Sequence, residues 1–184
     1  IERGINSPRT SSMGRLFDAA AAILGICGQA TYEGEPAIEL EAAAWRALDS
    51  EIARFPDDNA GRFASGPSWL DGPDVLDQKA FFEALLEGIE AGAPANRLAL
   101  DFHVAIARSS ARIASDICVR EGIDTVAISG GVFMNRLLLQ LLARELKSAG
   151  LTVLVPHTVP VNDGCIAYGQ AAVASARLAQ ITSQ

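Results

Sequence analysis

Thr125-Val126-Ala127-Ile128-Ser129-Gly130-Gly131-Val132-Phe133-Met134-Asn135 is the stretch that decides the fold class of this chain. Thr125–Ile128 is a short apolar run and reads as a buried strand. Ser129-Gly130-Gly131 follows as a tight turn. A helix is then expected from about Val132 to Ala149, because Leu137, Leu138, Leu141, Leu142 and Leu146 fall on one face, and Gly150 ends it. Thr152–Val155 is a second apolar run, hence a second buried strand. A strand–helix–strand unit with a crossover of this length calls for parallel strands in one sheet. The expected class is therefore α/β with a short, at least partly parallel sheet.

Upstream of this unit the chain reads as helical. Ser11 or Ser12 can cap a first helix running through Leu16, Phe17, Ala20, Ile23 and Leu24 and ended by Gly25 and Gly28. A loop, 29–35, precedes Pro36, which suits the first position of a second helix reaching about Leu48 to Phe55. Residues 56–74 hold Pro56, Gly61, Gly66, Pro67, Gly72 and Pro73 and read as an irregular insertion, with short strands possible around Phe63 or Trp69. A third helix fits Leu76–Glu90. A long fourth fits Ala95–Glu121, where Leu98, Phe102, Ala105, Ile106, Ile113 and Ile117 recur at helical spacing and Gly122 closes it. Asp163 begins a last helix, in which the small residues Gly164, Ala167, Gly169 and Ala171 permit tight packing. Residues 1–184 read as a single domain.

Composition narrows the function classes. The chain has 184 residues, 49% hydrophobic and 20% charged, enough for one domain with a core. Its formal net charge of −7 repels phosphate backbones, so nucleic acid is not the expected partner. The longest apolar run, Leu16–Cys27, contains Asp18 and is too short to span a membrane. Three well-separated cysteines, Cys27, Cys118 and Cys165, form no CxxC pair and fit a reducing cytoplasm. The polar start, Ile1-Glu2-Arg3-Gly4, carries no signal peptide and suggests a fragment of something longer.

Several residues can carry chemistry. The Gly130-Gly131 turn joins a strand to a helix N-terminus, where close backbone approach and free N–H groups suit an anion such as phosphate. Asn135, one turn into that helix, offers a donor and an acceptor to a base or ribose. A tight turn with no ligand has the same signature. The Gly-Lys-Ser/Thr ending of a P-loop is missing. Asn162-Asp163-Gly164 occupies the matching junction after the second strand, on the sheet edge where ligands of α/β folds gather. Asp163 is either a metal ligand or a helix cap. Asp18 sits inside an apolar helix and either faces solvent or meets a polar ligand. Arg15, one turn earlier, can pair with Asp18 or bind a substrate anion. Glu35, Glu39 and Glu41 suit the start of the second helix. His103 fits a core or interface role and His157 a loop role.

Together these blocks resemble a known family. Arg9-Thr10-Ser11-Ser12-Met13-Gly14-Arg15-Leu16-Phe17-Asp18-Ala19, Ala30-Thr31-Tyr32-Glu33-Gly34 and Ile38-Glu39-Leu40-Glu41 are similar to the C-terminal region of HypF-type carbamoyltransferases. So are Ile128–Arg136 and the run from Pro160 to Gln170. The resemblance covers about residues 8–175 and is weak around 52–75. It implies a helix-rich C-terminal lobe of an actin and sugar-kinase-like (RNase H-like) ATPase fold, related to the tRNA threonylcarbamoyl transferases. It implies ribose contacts from Asp18 and Glu39, a nucleoside-side loop at Gly34 and Glu35, nucleotide contacts from Gly130, Gly131 and Asn135, and a metal-ligand role for Asp163. At the second position of that loop the tRNA enzymes carry glycine, where this chain has Glu35.

The reaction implied uses carbamoyl phosphate and ATP to make carbamoyl-adenylate. The carbamoyl group then passes to the C-terminal cysteine of a HypE-type partner, toward the cyanide ligand of a nickel–iron hydrogenase. A divalent metal (zinc, iron or magnesium) is implied as well, but the family's His-x-x-x-His ligands are not in these residues and are expected upstream. A related O-carbamoyltransferase, a tRNA threonylcarbamoyl transferase and a non-catalytic docking fragment are the alternatives. The acidic charge and the Ser11–Asp18 block disfavour the tRNA enzyme.

Overall fold

The structure, a computed structural model, describes residues 10–54 and 74–182. The expected strands near Phe63 or Trp69, and the 56–74 insertion apart from Asp74, lie outside them. Among the described residues six α-helices and two strands follow in the order α1 (Met13–Ile23), α2 (Glu35–Arg54), α3 (Gln78–Glu90), α4 (Ala95–Glu121), β1 (Thr125–Ala127), α5 (Arg136–Ser148), β2 (Thr152–Leu154) and α6 (Ile166–Thr182). Single 3-10 turns lie at Gly131–Met134 and Asp163–Cys165.

Helix α4 is the centre of the core. Its 27 residues make a rod about 40 Å long. In its first half Leu98, Ala99, Leu100, Phe102, His103, Val104, Ile106 and Ala107 are all buried, so apolar contact extends around most of its girth. Helix α2 packs on one side of it and α5 on another, while α1 and α3 close the N-terminal end. Phe102 meets Phe17 and Phe81 edge-on, at centroid distances of 5.2 and 6.0 Å, a favourable quadrupole arrangement. The leucine face of α5 is buried as expected: Leu137, Leu138, Leu141, Leu142 and Leu146.

Strands β1 and β2 pair in parallel, Thr125 with Thr152, Val126 with Val153 and Ala127 with Leu154. Ile128 N–H extends the ladder to the Leu154 carbonyl at 2.9 Å. The parallel pairing agrees with the crossover reading. The expectation of fully buried strands does not hold. Val126, Val153 and Val155 pack against the core, whereas Ala127 is exposed and Leu154 is 54% exposed. Side chains alternate across a strand, and only one face of this sheet is covered among the described residues.

Element boundaries shift for local reasons. Ser12 holds the N-cap position of α1, but its hydroxyl makes no cap bond. Helix α3 starts at Gln78 and not at Leu76, because Asp77 caps it by accepting from Ala80 N–H at 3.0 Å. Helix α2 begins at Glu35, so Pro36 is its second residue. Between β1 and α5 the backbone first makes a 3-10 turn, so the α-helix starts at Arg136 and not at Val132. The last helix is likewise preceded by a 3-10 turn. Helix α6 does not pack tightly as its small residues suggested, since residues 166–178 are all exposed.

Candidate nucleotide site

Parallel strands bring both strand-to-helix junctions to the same sheet edge. Here they touch. Gly130 N–H donates to the Val161 carbonyl at 2.9 Å, tying the first junction to the second. A Cβ placed on Gly131 would lie 3.9 Å from Asn162 Cβ, an ordinary contact. The two loops therefore stand side by side. Gly130 has φ 114° and ψ 155°, a conformation reserved for glycine. The turn closes with Phe133 N–H on the Gly130 carbonyl (3.0 Å) and Asn135 N–H on the Val132 carbonyl (3.1 Å). The N–H groups of Gly131 and Val132 precede the first of these bonds and lie outside the turn's own hydrogen bonding.

Asn135 is not one turn into the helix. It is the N-cap of α5, its Oδ1 accepting from Leu138 N–H at 2.8 Å. The reason is the 3-10 turn, which uses up Val132–Met134. Two of the free N–H groups expected at this helix end are taken. Leu138 N–H is held by Asn135, and Leu137 N–H donates to Glu41 Oε1 at 3.1 Å across 96 residues of sequence. Glu41 also accepts from Trp45 Nε1–H at 3.2 Å. A carboxylate at a helix N-terminus is favourable there, so Glu41 serves the start of α5 as well as Trp45 of its own helix. An anion at this junction meets the Gly131 and Val132 amides, while the Leu137 and Leu138 amides of α5 are already engaged.

Beneath the turn lies His103, fully buried at 0% exposure. Its Nδ1 sits 2.7 Å from the Ala99 carbonyl, and its Nε2 sits 2.9 Å from Asn135 Nδ2. A carbonyl only accepts, so Nδ1 carries the proton. Nε2 must then accept from the Asn135 amide, which agrees with Asn135 Oδ1 facing Leu138 N–H. Burial pushes the imidazole down from 6.5 to about 4, against the opposing effects of the Ala99 carbonyl and the Glu41 carboxylate. His103 is neutral at pH 7. This agrees with the core role expected of it, while its link to Asn135, 32 residues away, leaves no trace in residue spacing.

The other candidates fall in different places. Helix α1 touches the 3-10 turn, and Phe17 lies edge-on to His103 at 5.1 Å. The next residue, Asp18, pairs with Arg15 at 3.0 Å; Asp18 is 25% exposed and Arg15 68%. The pair is open enough to contribute at most about 1 kcal/mol and to be rearranged by a ligand. Gly34 has φ 82° and accepts from Ile38 N–H at 3.0 Å. Glu35 turns back to accept from the Thr31 backbone N–H and, at 2.9 Å, from the Thr31 hydroxyl. Those bonds, the backbone one first, hold its carboxyl below the usual range. Its side chain therefore closes its own loop. Glu39 is exposed near the N-terminal end of α2, the end whose Glu41 reaches α5.

Asp163 is exposed at the start of the second 3-10 turn, and its side chain is not the cap. Asn162 is the cap, accepting from Gly164 N–H at 3.1 Å. Among the described residues no group of three or more His, Cys, Asp or Glu side chains could hold a metal ion. Asp163 alone does not make a metal site. His157 is exposed in its loop. No helix among the described residues is long and apolar enough to cross a membrane.

Comparison with known proteins identifies the family. A family model described as "Carbamoyltransferase, Kae1-like Domain, second subdomain" matches residues 1–170. A carbamoyltransferase HypF homolog of Cupriavidus necator is 39% identical over 178 residues, covering 95% of this chain and 43% of the relative. Carbamoyltransferase HypF of Rhizobium leguminosarum bv. viciae is 39% identical over 169 residues, 91% of this chain and 20% of the relative. The crystal structure of T. kodakarensis HypF matches with a TM-score of 0.75 and 30% identity over 97% of this chain and 21% of that one. A full-length HypF in a phosphate- and nucleotide-bound form matches with a TM-score of 0.74 and 29% identity, covering 97% of this chain and 22% of that one. The chain thus spans less than half the length of each of these proteins. The fold expected from the resemblance is the fold found, and this chain belongs to the HypF carbamoyltransferase family, matching the second subdomain of its Kae1-like domain.

Proposed function

We propose that this chain forms one wall of a nucleotide cleft in a carbamoyltransferase that passes a carbamoyl group from carbamoyl-adenylate to a cysteine thiolate. The single observation that carries the reading is the Gly130–Val161 hydrogen bond, which joins the two strand-end loops into one surface. Backbone N–H groups of Gly131 and Val132 hold the phosphate. Asp18 and Glu39 approach the ribose and Gly34 the nucleoside. Glu35 contributes by shaping that loop, since its carboxylate is already engaged by Thr31. Arg15 is released from Asp18 to meet the substrate anion.

Carbamoyl-adenylate is a mixed anhydride made from carbamoyl phosphate and ATP. The acceptor's thiolate sulfur attacks the carbamoyl carbon, the carbon–oxygen bond to phosphate breaks, and AMP leaves with the electron pair. Fixed N–H dipoles beside the phosphate favour that departure. No nucleophile is needed from this chain, because a HypE-type partner supplies it. Asp163 would contribute one carboxylate to a divalent ion whose other ligands are expected upstream of this chain. That ion, when bound, supplies polarisation of a substrate oxygen.

Titration of AMP into the full-length protein tests the reading. Gly131→Val is the variant of choice: the Gly131 φ is not in the left-handed region and a Cβ there meets nothing closer than 3.9 Å, while the added bulk blocks the approach to the turn; its melting temperature is read alongside. Binding is expected to weaken by at least about tenfold, roughly 1.4 kcal/mol. Asp18→Ala is expected to weaken it similarly. Unchanged affinity in Gly131→Val removes the phosphate turn, and a folded wild-type protein that ignores AMP favours a docking domain.

A further inference from the structure

We infer that His103 is a positioning residue for the nucleotide cleft, holding the glycine turn and helix α1 in register through its acceptor nitrogen Nε2 and its ring face. The inference rests on the cleft reading above, and three observations carry it.

The first is that His103 touches both elements that bear the candidate nucleotide contacts. Its Nε2 accepts from Asn135 Nδ2 at 2.9 Å. Phe17, the neighbour of Asp18, stands edge-on to its ring at 5.1 Å.

The second is that Asn135 is the hinge point of the turn, fixed at three atoms besides its carbonyl, which accepts from Leu139 N–H within α5. Its backbone N–H closes the 3-10 turn on Val132, its Oδ1 caps α5 at Leu138, and its Nδ2 meets His103. Two of these bonds are made inside the segment itself. Only the third ties the turn to the rest of the core, by way of α4.

The third is that the bond's polarity is fully determined. The Ala99 carbonyl forces the proton onto Nδ1, so Nε2 can only accept and the Asn135 amide can only face it with its nitrogen. An apolar side chain here fills the volume but leaves a buried N–H without an acceptor, and the amide then has reason to turn away. No side chain of His103 reaches solvent, so it acts through Asn135 and Phe17 and not on substrate.

The test compares His103→Leu with His103→Gln in the full-length protein, reading AMP affinity and melting temperature together. Gln can restore an acceptor toward Asn135; Leu cannot. The expected result is a loss of AMP affinity of about tenfold or more in His103→Leu and of no more than about threefold in His103→Gln, with both melting temperatures lowered. The inference is overturned if His103→Leu binds AMP like the wild type. It is also overturned if the two variants lose affinity equally, in step with their melting temperatures. A wild-type protein that binds no AMP overturns the cleft reading and this inference together, whereas normal wild-type binding with indistinguishable variants overturns this inference alone. If His103→Leu does not fold, nitrogen-15 spectra of the wild-type imidazole decide. A protonated Nδ1 and a bare Nε2 at neutral pH are expected, with conversion to the doubly protonated ring in Asn135→Asp. An Nε2-protonated ring, or no change in Asn135→Asp, overturns the inference.

Discussion

Acid should unfold this chain in a way that one residue controls. His103 is fully buried and its imidazole is pushed from 6.5 to about 4. Between those values the unfolded chain binds a proton that the folded chain does not. Stability therefore rises with pH across the window, and lowering the pH from 7 to 4 removes it. A titration point near 4 in place of 6.5 corresponds to a loss of about 3 kcal/mol between pH 7 and pH 4. Glu35, held low by Thr31, acts in the same direction over part of the range. The reference is therefore His103→Gln, which keeps Glu35 and removes the imidazole. Urea unfolding at closely spaced pH values, followed by circular dichroism, provides the comparison. From pH 7 to pH 4 the wild type should lose about 3 kcal/mol more than the variant. At a slope of about 2 kcal/mol per molar urea this is a relative midpoint shift of about 1.5 M. Parallel pH curves for the two proteins would refute the reasoning, as would an imidazole that titrates near 6.5 in the folded chain.

Three further outcomes follow from the same geometry. Glu41→Ala leaves the Leu137 and Trp45 N–H groups without their acceptor and should cost about 1–3 kcal/mol by urea unfolding, with Glu41→Gln retaining most of it. Gly130→Ala meets open space but must adopt φ 114°, so it should lose about 1–3 kcal/mol through backbone strain alone; a melting temperature equal to wild type would contradict the turn geometry. Asp163→Ala, exposed and not the cap, should leave the melting temperature within about 1–2 °C of wild type while abolishing carbamoyl transfer by the full-length protein. Normal transfer by that variant removes the metal-ligand role.

The strand–helix–strand unit was legible because its signals are local. Five leucines at helical spacing and two apolar runs define it without help from distant residues. The start of α5 was not legible by periodicity, since Val132, Phe133 and Met134 are as apolar as a helix needs and a 3-10 turn carries nearly the same spacing. The readable clue was Asn135 itself, a strong N-cap residue standing three before Leu138. Strand burial was overestimated because apolar runs of four residues do not reveal whether one face or both are covered. Glu41 was read as serving its own helix, because a bond to Leu137, 96 residues away, has no trace in sequence spacing. The same holds for the His103–Asn135 bond. The polar groups beneath the glycine turn were visible one by one, and only the packing of α2 and α5 on α4 brings them together.

Hydrogen–deuterium exchange of the full-length protein, with and without AMP, tests the shared cleft most directly. Peptides covering residues 129–134 and 161–165 should slow together on adding AMP, because their loops are bonded through Gly130 and Val161. Protection of one loop without the other, or of neither while AMP is bound, would contradict it.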